Sequence, residues 1–146
     1  MAVAGADALT IRTANGSQVA TVPGAGGSAR GAALSATRLA IERASTLDLY
    51  DPATGAAVKT LSLGSAAALR LADVSSRLAL LHGTHRLVLV RLSDGKLISF
   101  PLRRPAAATL VGARLTEAGL FYAYNTGGAL PGRIVFEPTG KLLARF

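Results

Sequence analysis

Two histidines stand three residues apart in "HGTH", His82 to His85, and two arginines adjoin in "RRP", Arg103 to Pro105. The imidazoles could ligate a metal, but a zinc site needs three or four ligands, and neither a carboxylate nor a third histidine lies nearby in the sequence. The segment is read as a polar turn between strands. The arginine pair could grip a phosphate or carboxylate through guanidinium forks. "PGAGGS", Pro23 to Ser28, is glycine-rich but lacks the Gly-Lys-Ser/Thr ending of a phosphate loop, so it is read as a connection. "GLFYAY", Gly119 to Tyr124, holds three of the seven aromatic residues. As a strand it sends Leu120, Tyr122 and Tyr124 to one face and Phe121 and Ala123 to the other, a pattern suited to packing. No histidine has an evident carboxylate to orient it, and no serine sits in a nucleophile elbow. The sequence therefore predicts no catalytic residue, no metal and no cofactor.

The elements that must hold these residues follow from a rhythm of turns. "LTIRTANGSQVATV" (Leu9 to Val22), "LDLYDPATGAAVKTL" (Leu47 to Leu61), "LVLVRLSDGKLISF" (Leu87 to Phe100) and "RIVFEPTGKLLARF" (Arg133 to Phe146) each place a glycine between two β-rich runs. Gly16, Gly55, Gly95 and Gly140 are separated by 39, 40 and 45 residues. Asn-Gly and Asp-Gly tolerate positive φ in a tight hairpin, and Pro-x-x-Gly presets one turn residue and frees another. Between the hairpins, "RGAALSATRLAIE", "ALRLADVSSRLALLH" and "TLVGARLTEAGLFYAY" repeat a strand, a short polar turn and a strand. Each unit then holds four strands in the order A, B, C, D. The sequence predicts an all-β chain of fourteen strands: a C-D half unit at 8–22 and three full units at 30–63, 68–102 and 109–146. Many short strands also suit a sandwich or barrel, but neither requires one four-strand pattern three times over. A repeat near ~40 residues is the spacing of propeller blades. No segment sustains helical periodicity, because glycine or proline interrupts it.

"LDLYDPATGAAVKTLSL" and "RLVLVRLSDGKLISFPL" resemble the blades of bacterial YVTN-type and quinoprotein-like β-propellers, and the chain from about Ala8 onward resembles the C-terminal blades of propeller proteins from high-GC bacteria. The resemblance implies a partial or open propeller of about three and a half four-stranded blades. Gly-His and Trp-Asp pairs are missing, so the repeat is not of the usual tryptophan-aspartate kind. The tryptophan docking motif of quinoprotein blades is missing too, and a quinone cofactor is unsupported. Closed propellers use about four to eight blades. Three and a half therefore implies the C-terminal part of a larger propeller, self-assembly into a ring, or an open arc. In propeller geometry the D-A and B-C loops share one rim, where Arg43, His85, Arg103 and Arg104 form the candidate ligand-binding set. Asp51, Asp73, Asp94, Glu117 and Glu137, with Arg114, fall on the other. One rim is thus expected to be basic and the other largely acidic.

The 146 residues carry a formal charge of +8, mostly from dispersed arginines, with lysine only at Lys59, Lys96 and Lys141. Dispersal argues against a nucleic-acid stripe and leaves a protein or an anionic small molecule as the expected partner. Cysteine is absent, which excludes disulfides and thiol chemistry. No apolar run reaches the ~18 residues of a membrane helix, and the first residues lack the basic region of a signal peptide. Export is expected only if a longer secreted propeller contains this chain. The sequence predicts a non-catalytic binding or scaffold module. A fragment of an exported hydrolase-like propeller enzyme and a basic nucleic-acid-binding module are the alternatives.

Overall fold

The computed structural model describes residues 1–4, 7–24, 28–83, 86–100, 108–125 and 132–146. The chain is all-β, with fourteen strands among the described residues and one short helix. They form four separate antiparallel sheets, each strand pairing with its neighbour in sequence. The first sheet holds β1 (Ala2–Ala4), β2 (Ala8–Arg12) and β3 (Gln18–Pro23). The second holds β4 (Gly31–Leu34), β5 (Leu39–Glu42), β6 (Thr46–Tyr50) and β7 (Ala57–Ser62). The third holds β8 (Arg70–Val74), β9 (Leu78–His82), β10 (Leu87–Arg91) and β11 (Leu97–Phe100). The fourth holds β12 (Thr109–Leu115), β13 (Gly119–Asn125) and β14 (Arg133–Pro138), followed by helix α1 (Thr139–Leu143). No sheet closes on itself.

The sheets stack face to face, with their first strands in contact in the order β1, β4, β8, β12. Three apolar layers fill the gaps. Leu9, Ile11 and Val22 meet Leu39 and Ile41 between the first and second sheets. Leu47, Leu49 and Leu61 meet Leu81, Val88 and Val90 between the second and third. Leu80, Leu87 and Leu89 meet Leu115, Leu120 and Tyr122 between the third and fourth. The third sheet is covered on both faces, which is why "LVLV" at Leu87–Val90 is buried throughout while β2 alternates. In β13 Leu120, Tyr122 and Tyr124 are buried, as alternation predicts, and Phe121 stands on the opposite, exposed face.

Turn chemistry sets the strand ends. Gly16, Gly55 and Gly95 have φ of 89°, 74° and 78°, the left-handed region that Cβ disfavours. Asp51 Oδ1 accepts from the backbone N–H of Ala53 at 2.7 Å and of Thr54 at 3.3 Å, holding the β6-β7 turn. A second device recurs in the three turns that follow first strands. Ser35 Oγ accepts from Arg38 N–H at 3.1 Å, Ser75 Oγ from Leu78 N–H at 3.1 Å and Thr116 Oγ1 from Gly119 N–H at 3.3 Å.

Two carboxylates staple sheet to sheet. Glu42 of β5 is fully buried; its Oε2 accepts from Leu71 N–H of β8 at 2.7 Å and its Oε1 from Arg70 at 3.0 Å. Asp73 of β8 accepts from Leu115 N–H of β12 at 3.1 Å and pairs with Arg114 at 2.9 Å. Each carboxylate satisfies a backbone donor that the next sheet's ladder leaves over, which is what makes burial of the charge tolerable.

The structure corrects the sequence reading at both ends. The 8–22 unit has a third strand, because β1 pairs with β2 (Ala2 opposite Ile11). The last unit has no fourth strand: Gly140 lies inside α1 rather than in a hairpin. Strand alternation would send the adjacent Leu142 and Leu143 to opposite faces. The helix instead turns both, with Phe146, onto the core between the third and fourth sheets. Thr139 anchors its start, its N–H donating to Ala118 O at 2.9 Å and its Oγ1 to Glu117 O at 2.8 Å. The fourteen strands are therefore arranged three, four, four and three.

Glu42→Ala removes the acceptor for Leu71 N–H and leaves Arg70 without its carboxylate. Unfolding in urea is expected to show a loss of about 3 kcal/mol. A loss below about 1 kcal/mol, the scale of an exposed ion pair, would reject the stapling role.

Candidate functional site

The turn after β4 ends in an arginine and the turn after β8 carries one. Arg38 follows the Ser35 turn and Arg77 follows Ser75, whose Oγ accepts from Arg77 N–H at 3.4 Å. Both turns lie at the same end of the stack as the β6-β7 and β10-β11 hairpins: Arg77 O accepts from Leu92 N–H at 2.9 Å. Between the second and third sheets this end opens into a groove of about 360 Å³. Its walls carry Arg38, Lys59, Arg77 and Arg91, with Ser76 and Ser93, and its floor carries Leu49, Leu92 and Leu143.

The groove has a strong excess of positive charge. Arg77 has no ion pair among the described residues. Among the described residues the Arg38 guanidinium donates to Thr37 O, at 2.7 Å, and Lys59 Nζ to Ser93 O, at 2.6 Å. Arg91 forks onto Asp94, with Nε 2.9 Å from Oδ1 and Nη2 on Oδ2, and its guanidinium lies 5.1 Å from the centroid of the Phe146 ring. The Arg91 hydrogen bond, followed by that from Lys96 N–H, holds the Asp94 carboxyl far below the usual carboxylate range. Chemically, the groove can receive an anion between guanidinium forks and hydroxyls.

At the opposite end the predicted site residues fare differently. Arg43 is half-buried and committed to internal partners: its Nε lies 2.5 Å from Asp48 Oδ2, its Nη1 bonds Ser28 Oγ, and Asp48 raises its pKa. It clamps the first sheet to the second. His85, Arg103 and Arg104 lie outside the described residues, as does most of the 125–132 loop. His82 is exposed at the end of β9, beside Arg70 in a recess of about 340 Å³. Arg30, 3.7 Å from Glu42, shares that carboxylate with Arg70.

The expected division into a basic and an acidic rim is overturned at the second rim. Its carboxylates are spent on the fold. Asp51 caps a turn, Asp73 and Glu137 are buried, Asp94 holds Arg91, and Glu117 accepts from Ser76 N–H at 2.6 Å. The cations of the groove dominate what remains. The signal was present in "SATRL" and "VSSRL", where two units carry an arginine in a hydroxyl turn, three residues after Ser35 and two after Ser75. Among the described residues no group of three histidines, cysteines or carboxylates could hold a metal. Among the described residues no helix is long and apolar enough to cross a membrane.

The Arg91–Asp94 pair gives a pH prediction. Because the folded pKa of Asp94 is lowered, the pair's contribution is complete above the unfolded value of about 3.9 and is lost as pH falls toward the folded value. A carboxyl NMR titration is expected to show Asp94 still ionised well below the usual carboxylate range, and Arg91→Ala to raise its pKa toward that range. Ordinary titration in the wild type would contradict the fork. Neither a protein-family model nor a curated protein matches the chain.

Proposed function

We propose that the chain is a β-propeller-type binding scaffold, without catalysis of its own, that receives an anionic group in the groove between its second and third sheets. The propeller reading is supported by four sequential antiparallel meanders, contact between successive first strands, and hydroxyl turns at Ser35, Ser75 and Thr116, 40 and 41 residues apart. The single observation that carries the binding reading is the groove itself. Four cationic side chains and two serines surround it, against two carboxylates, Asp94 on Arg91 and Glu117 on Ser76. Rims and inter-blade clefts are where such arrays bind, since loops can vary there without disturbing the sheets.

Occupancy by a phosphate or carboxylate would recruit Arg77 and Arg38 first, because neither is held by an acid. Lys59, on β7, approaches from the second sheet. An anion would therefore bridge two sheets and tighten their junction, coupling binding to stability.

Calorimetric titration with inorganic phosphate and with citrate is expected to show binding that weakens with added salt. Arg77→Glu is expected to weaken it at least tenfold, about 1.4 kcal/mol, and Asp94→Asn to strengthen it by freeing Arg91. Among the described residues the Arg77 guanidinium makes no hydrogen bond or ion pair, so circular dichroism should be unchanged. Equal affinity in wild type and Arg77→Glu would reject the groove as the binding site.

A further inference from the structure

The fourth sheet leaves one face uncovered, and the register shows what belongs on it. Cross-strand pairs align the sheets: Ala40 with Leu49 in the second, Leu80 with Leu89 in the third and Phe121 with Phe136 in the fourth. One step along lie Leu47, Leu87 and Ile134. In the second and third sheets these positions are at most 2% exposed, because the following sheet covers them. In the fourth, Ile134 is 76% exposed, Phe136 45% and Phe121 38%. The two phenyl rings stack on each other with centroids 4.5 Å apart, and Val111 extends the patch. The open apolar surface is on the order of 400 Å², the size that on a monomer marks an interaction site.

The matching surface is the outer face of the first sheet. There the pair Thr10 and Thr21 occupies the register that Asp48 and Thr60 occupy in the second sheet. Asp48 and Thr60 lie at the junction with the first sheet, where Arg43 links Asp48 to Ser28 and Gly24. Asp48, a polar residue, is thus accepted under a preceding sheet, with Thr60 exposed beside it. We infer that the fourth sheet of one chain packs on the first sheet of a second copy, and the reverse, closing two chains into a two-fold ring of eight sheets. Eight lies within the about four to eight blades of closed propellers. Head-to-tail closure repeats the internal sheet-on-sheet contact and covers both open faces of each chain, whereas pairing fourth sheet with fourth sheet would leave both first sheets bare. Each chain contributes two faces to the ring, which brings the burial toward the about 800 Å² per partner of stable pairs. The inference rests on the stacked-sheet reading and is independent of the groove.

Light scattering coupled to size exclusion, across the micromolar range, tests it. The wild type is expected at twice the 14.8 kDa chain mass. Ile134→Asp, on the fourth sheet, and Thr21→Arg, on the first, are each expected to give a monomer with unchanged circular dichroism, since both side chains are exposed within one chain. A folded wild-type monomer would overturn the ring and leave the groove to be judged by its own titration. A dimer broken by Ile134→Asp but not by Thr21→Arg would overturn it in favour of fourth-sheet pairing. A dimer indifferent to both would place the interface elsewhere, and an open series of larger species would overturn closure.

Discussion

A sheet that is apolar on both faces has to be covered on both, and this constraint shapes the molecule. The third sheet shows it most plainly: Leu87 and Leu89 face one way, Val88 and Val90 the other, and all four are buried. Burying them needs a neighbour on each side, so the sheets must stack in series. Stacking in series in turn leaves two terminal faces whatever the details. The chain treats its two ends differently. The first sheet presents threonines and Arg12 outward, and the fourth presents isoleucine and phenylalanine.

Hydrophobic burial does not by itself fix how far one sheet slides on the next. Buried carboxylates supply that register. Glu42 and Asp73 each reach a backbone N–H in the following sheet, and a slip of one residue would strand both the donor and the charge. Arg43, held by Asp48, reaches Gly24 O at 3.5 Å just beyond the first sheet. The acidic residues are thereby absorbed into the framework. The surplus of arginine and lysine is left to define the surface, and it concentrates where hydroxyl turns and hairpins crowd together at one end. The groove follows from how the fold uses its carboxylates, more than from any local basic run.

Much of the fold could be read from short-range chemistry. Asn-Gly, Asp-Gly and Pro-x-x-Gly mark hairpins because positive φ is a local demand, and three of the four marked turns have a glycine there. The fourth fails for a tertiary reason. "PTGKLL" carries turn residues, but two adjacent leucines and a core open on one side favour a helical turn. The short strand β1 was also illegible: three small residues have too little pattern to declare themselves, and only pairing with β2 makes them a strand.

Composition, turn spacing and apolar alternation by themselves determined that the chain is all-β, sets its first three turn glycines 39 and 40 residues apart and lacks thiol chemistry. These properties depend on φ preferences and on side-chain periods of two, which are written into neighbouring residues. Only the tertiary structure decided which charges are free. Ion pairs such as Glu42 with Arg70, or Asp73 with Arg114, join residues 28 and 41 positions apart. No local pattern encodes such a pairing, because it exists only once the sheets are stacked. Of the expected basic rim, Arg43 is thereby tied up in the fold, and at the other end Arg38 and Arg77 have no acid partner among the described residues.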